Sequence, residues 1–104
     1  MINIGDRVSI QFANGKRKSV VLFDHWGGME FVETAKQYVA ELKKERGDKT
    51  MMPLDRLEPN TVIVDFIRYL TVGMTGVESS LYLGATENDG DNSDNGHHEI
   101  DLNE

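Results

Sequence analysis

Val8, Ile10 and Phe12 alternate with Arg7, Ser9 and Gln11 near the start of the chain, the period-two pattern of a strand with one buried face. Asn14 and Gly15 follow, inside the turn Ala13 to Lys16. Asn-Gly between two β-type runs predicts a hairpin, because both residues tolerate positive φ and the resulting turn matches strand twist. The returning run, Ser19 to His25, is apolar on both sides: Val20 and Leu22 on one, Val21 and Phe23 on the other. Such a strand lies inside a sheet covered on both faces.

From Met29 to about Glu45 the spacing changes. Val32, Ala35, Val39 and Leu42 recur among charged residues at helical intervals, and Lys43, Lys44, Arg46 and Gly47 read as a helix end. Residues 48 to 58, with Pro53, read as a loop. The run Val62, Ile63, Val64 is β-branched, yet Val62, Ile63, Phe66, Ile67 and Leu70 form one helical stripe, with Asp65 and Arg68 off it at a spacing that suits a surface ion pair. Pro59 fits the first turn, where its missing N–H costs nothing, so a helix is predicted from Pro59 to Val72, ended by Gly73 and Gly76.

Leu81 and Leu83 alternate with Ser80 and Tyr82, and His98, Ile100 and Leu102 with His97, Glu99 and Asp101. The polar run Glu87 to Gly96 between them reads as an acidic flexible hairpin loop. The expected fold is α+β: a β-hairpin, two α-helices and a β-hairpin, forming an antiparallel sheet with the helices packed on one face, all in a single domain over residues 1–104. Two helices cover one face, so another subunit or a long loop must close the second, and homodimerisation is expected.

Composition narrows the function. The chain has no cysteine, which excludes disulfides, thiol nucleophiles and Cys-ligated metals, and no apolar run long enough for a bilayer span. The N-terminus lacks a signal-peptide pattern, and a cytoplasmic location is expected. The formal charge of −7 is unevenly spread: residues 1 to 57 hold ten bases and eight acids, and residues 58 to 104 hold one base, Arg68, and ten acids. With no basic stripe, direct nucleic-acid binding is not expected.

Asp24, His25, Trp26, Gly27 and Gly28 combine a carboxylate, an imidazole and the single tryptophan at a predicted strand–helix junction. As a ligand site, it would use His25 as base or hydrogen-bond donor, Trp26 as a stacking wall and the glycines as an anion cradle at the helix start. The plainer reading has Trp26 packed on the helix, His25 bonded to backbone and the glycines making the turn. The run LFDHWGG, leading into an amphipathic helix over residues 19 to 45, resembles a motif of small uncharacterised proteins of phages and of bacterial and archaeal genomes. The resemblance implies no activity, only that His25, Trp26, Gly27 and Gly28 are the positions to test.

The second constellation, Asp89, Asp91, Ser93 and Asn95, partly matches the ligand spacing of a calcium loop, although Leu102 stands where the bidentate Glu belongs. A low-affinity calcium site is one use of it; a solvated loop is the other, and no cofactor is expected otherwise. Histidine-based metal capture lacks a supporting spacing, and His97 and His98 point to opposite sheet faces. The expected function is therefore a small acidic, non-enzymatic binding or regulatory protein whose acidic C-terminal half meets a basic protein partner. The alternative is a ligand-binding domain or hydrolase centred on Asp24, His25 and Trp26.

Overall fold

β1 (Val8–Asn14) and β2 (Arg17–Lys18) form the predicted hairpin, Asn14 opposite Arg17, in a computed structural model that describes residues 5–49, 57–72 and 80–103. Gly15 takes φ 64 at the first of the two loop positions, where a type II′ turn places glycine. The returning run is not one strand. Lys18 faces Ala13, but Leu22 of β3 (Val21–Asp24) faces Ile10, so the register slips by one residue at a bulge around Val20. The orphaned Val20 N–H donates to Asn60 Oδ1 at 2.9 Å.

α1 (Gly28–Lys49) begins as predicted but passes through Gly47 to Lys49, beyond the expected stop near Glu45. One internal glycine costs a helix only about 1 kcal/mol, which a long helix packed by its other turns absorbs. α2 (Pro59–Thr71) matches its prediction closely: Pro59 occupies the first turn, and Leu57 and Val62 hold the two positions of a hydrophobic staple within the core. Pro53, Met51, Met52, Gly73 and Gly76 lie outside the described residues.

Both helices lie on one sheet face. Val8, Ile10 and Phe12 of β1 and Leu22 of β3 meet Phe31, Val32, Ala35, Tyr38, Val39 and Leu42 of α1 and Val62, Ile63 and Phe66 of α2. Phe66 is the hub, with ring centroids 5.5 Å from Phe12, 5.9 Å from Phe31 and 5.1 Å from Tyr38. The Tyr38 hydroxyl donates to Asp65 Oδ2 at 2.7 Å, and Arg68 Nε donates to Asp65 Oδ1 at 2.8 Å, the ion pair predicted from spacing. Burial, then the bond to Asp65, raises the Tyr38 pKa; burial alone would raise that of Asp65, but the bonds from Arg68 and Tyr38 outweigh it and lower it.

The last two strands correct the predicted topology. β4 (Leu81–Gly84) pairs antiparallel with β3, whereas β5 (His97–Asp101) pairs parallel with β1 on the opposite side of the sheet. They are not a hairpin, and residues 85–96 are not a hairpin loop: the segment crosses the sheet face away from the helices. The physical reason is the apolar second face. Val21 and Phe23 are fully buried within the single chain, and the crossover is what covers the Phe23 ring: a Cβ on Gly90 would stand 2.8 Å from Phe23 and 2.6 Å from Tyr82. Phe23 and Tyr82 stack with centroids 4.9 Å apart and planes within 4°. The Tyr82 hydroxyl accepts from Asp91 N at 2.9 Å, anchoring the crossover from below. The long loop thus supplies the cover for which a second subunit was the other candidate.

Candidate functional site

The strand–helix junction is built by two carboxylates. Asp24, at the end of β3, accepts from Trp26 N at 3.0 Å and from Ser80 Oγ at 2.6 Å, turning the chain and tying it to the entry of β4. Asp6 closes the junction from the other side: its N–H donates to His25 O at 2.9 Å and its carbonyl accepts from Gly28 N at 2.8 Å. Gly28 takes φ 61 with the Asp6 carboxylate 2.5 Å from where a Cβ would stand, so only glycine fits there.

This geometry alters the chemistry expected of the site. The Gly28 N–H is spent on Asp6, and Asp6, Asp24 and Glu30 place three carboxylates around the helix start, a setting that repels an anion instead of cradling it. His25 lies edge-on to Trp26, with centroids 4.5 Å apart and planes at 73°. The Ser80 hydroxyl donates directly to Asp24, and no serine–histidine–aspartate relay forms among the described residues. What the junction offers outward is Trp26, 57% exposed, with Met29, 47% exposed, in the first turn of α1. Large apolar side chains held at that exposure on a fixed turn suit a contact surface.

The crossover meets the junction at the same end of the sheet. Asn95 Nδ2 donates to Asp6 Oδ1 at 2.8 Å, and Asn95 N donates to Arg7 O at 2.9 Å. Arg7 then clasps the loop: its Nη1 donates to Asp91 Oδ2 at 2.7 Å, and its Nε and backbone N–H donate to Asp94 Oδ2 at 2.9 and 3.0 Å. The bond from Arg7 and its charge hold the Asp94 carboxyl below the usual range; for Asp91 the bonds from Ser93 contribute first and Arg7 next.

The loop residues read as calcium ligands are committed elsewhere. Asp89 Oδ2 accepts from Thr86 N, Asp91 binds Ser93 N and Arg7, and the Asn95 amide reaches Asp6. A guanidinium stands among these carboxylates, and no group of three histidine or acidic side chains suited to a metal occurs among the described residues. Comparison with protein-family models, curated proteins and solved structures finds no match for this chain.

Sequence spacing missed Asp6 and Arg7, which join the junction to the loop, and Ser80, which ties it to the entry of β4. It also missed a part-buried polar chain on the second face. Gln11 Nε2 donates to Ser19 O, which orients Gln11 Oε1 to accept from His97 Nε2 at 2.9 Å; His97 Nδ1 then accepts from Ser9 Oγ at 2.8 Å, and Ser9 Oγ accepts from Asn92. Every link is satisfied with His97 neutral. Burial lowers its pKa, opposed by Glu87 and Glu99 and aided by His98 and Lys18.

A lowered folded-state pKa means that the unfolded chain takes up the proton first. The His97 contribution to stability is therefore complete above about pH 6.5, the unfolded value, and is lost as pH falls from there through the folded value. Urea denaturation from about pH 8 to about pH 5 is expected to show a falling midpoint below about pH 6.5, flattened in His97→Gln. A midpoint independent of pH across that window would contradict the neutral, half-buried His97.

Proposed function

We propose that the protein is a small non-enzymatic binding protein that holds a basic segment of a protein partner at the sheet end where Trp26 projects beside the acidic crossover. The observation that carries this reading is the placement of Trp26: it is 57% exposed on a turn held by the bond from its backbone N–H to Asp24, and Asp6 links that turn to the crossover through Asn95. An indole face attracts Lys and Arg cations, and carboxylates beside it add charge complementarity. Residues 85–96 carry four acids and no Lys or Arg, countered only in part by Arg7 from the strand beneath.

A lysine- and arginine-rich peptide titrated into the protein is expected to change Trp26 emission. Its affinity should fall steeply as salt is raised. Trp26→Ala, read by calorimetry, should weaken binding by about tenfold or more, the loss typical of an aromatic anchor. Affinity that is flat with salt, or unchanged in Trp26→Ala, would overturn this reading. No helix among the described residues is long and apolar enough to cross a membrane.

A further inference from the structure

β5 is an outer strand of the sheet, paired with β1 on one side and with no described strand on the other. The flanking bonds set the direction of its peptide groups: Gly96 O accepts from Ser9 N, and Leu102 N donates to Ala13 O. In a parallel ladder the residues between them that face β1 are His98 and Ile100. The N–H and C=O groups of His97, Glu99 and Asp101 therefore point away from the sheet, and no described residue bonds to them.

Beside this edge runs an open groove of about 450 Å³. Lys36, Val39, Ala40 and Lys43 of α1 form one wall, and Ile100, between its two acidic neighbours, forms the other. The side-chain pattern is amphipathic across the sheet plane. Ile100 pairs with Phe12 on the helix side, while Glu99 and Asp101 share the opposite face with Gln11 and Ala13. Lys36 has only a loose 3.7 Å contact with Glu33, and Lys43 has no ion pair among the described residues. Glu99 is paired with Lys18 at 2.8 Å, but both are exposed and such a pair is readily shared.

We propose that this groove takes an extended segment of a partner protein as an added strand along β5. An apolar side chain of the segment sits against Val39 and Ala40, opposite Ile100. Carboxylates two residues to either side of it reach Lys36 and Lys43 on the same face. Basic residues between them fall on the other face, against Glu99 and Asp101, as the two-residue alternation of a strand requires. A second copy of this chain is the wrong occupant: pairing two β5 strands brings Glu99 and Asp101 of both onto one sheet face, acid against acid. The surface shares no residue with the Trp26 end, so the two can fail separately.

The test is an NMR titration of the full chain with the peptide Thr-Glu-Lys-Val-Lys-Glu-Thr and with its charge-swapped isomer Thr-Lys-Glu-Val-Glu-Lys-Thr. The first is expected to shift the amides of His97, Glu99 and Asp101 and of the α1 turns at Lys36 and Lys43, and to slow exchange of the Glu99 and Asp101 amides. The isomer, identical in composition, should bind about tenfold more weakly. Ala40→Arg, which fills the groove from an exposed helix position, should cost a similar factor. Glu99→Pro should do the same, because it removes an outward N–H and spares the bonds to β1.

Equal affinity for the two peptides, or binding untouched by Ala40→Arg in a folded variant, would overturn the proposal. So would shifts at Trp26 and Asp94 in place of β5, which would favour the junction as the only surface. Binding of neither peptide would also refute it, leaving the edge charges as a guard against aggregation. Concentration-dependent protection of the Glu99 and Asp101 amides without peptide would point to a second copy and refute the proposal as well.

Discussion

Phe23→Ala is expected to destabilise the protein by about 3–5 kcal/mol, the range for removing a fully buried phenylalanine, and to free residues 85–96 from the sheet. Phe23 is fully buried although it faces away from both helices, because the crossover covers it. Removing the ring takes away the stacking partner of Tyr82 and the surface on which Gly84 and Gly90 rest. The loss should therefore fall on two levels. Urea denaturation reads the global cost, and amide exchange across the crossover should rise towards the unfolded rate even in conditions where the helices stay protected. A cost under about 1 kcal/mol would show that the second face is not closed by this chain.

Gly90→Val is the complementary change, adding volume where Phe23→Ala removes it. The closest approaches to a Cβ at Gly90 are 2.6 Å to Tyr82 Cε2 and 2.8 Å to Phe23 Cε2, both in rings already packed against each other. Neither ring can give way as the end of a flexible side chain would. Overpacking of this kind costs about 1–3 kcal/mol, and the strain is relieved by lifting the loop, so the Asp91 amide should lose its bond to Tyr82. The expected result is a lower urea midpoint with faster exchange at Asp91. An unchanged midpoint would contradict the close seating of the loop on the aromatic stack.

The helices and the first hairpin were legible because their signals are local. The stripe at Val62, Ile63, Phe66, Ile67 and Leu70 outweighed three β-branched residues in a row, and Pro59 marked the start of α2. The bulge at Val20 was not legible, since a one-residue slip leaves the apolar run unbroken. Nor was the pairing of β4 and β5. Alternation identifies a strand and its faces but not its neighbour, and both open edges of the first hairpin were available to either strand. The two-sided run Val20 to Phe23 did carry the key signal, a second face that needs cover.

The site was half legible. Asp24, His25, Trp26, Gly27 and Gly28 do sit together at a strand–helix junction, with Asp24 and Gly28 shaping the turn. Spacing left a ligand site and a plain structural turn both open there, because Asp6 and Ser80, which bond to the junction, come from other parts of the chain. In the acidic loop, ligand spacing within Asp89 to Asn95 says nothing of Arg7, whose guanidinium bonds Asp91 and Asp94, so spacing alone left a calcium site and a solvated loop both open. The two constellations, read as independent, are joined through Asp6 and Arg7, to both of which Asn95 bonds.

Amide hydrogen exchange across residues 85–96 tests most directly whether the crossover is a fixed part of the fold that unites Trp26 and the acidic residues in one surface. The amides of Asp91, Asn95 and Gly96 bond to Tyr82 Oη, Arg7 O and Asn92 O, and are predicted to exchange far more slowly than unfolded chain, with protection lost together in Arg7→Ala. Exchange at the unfolded rate in the unmodified protein, with β1 and α2 protected, would contradict that structure and the binding surface built on it.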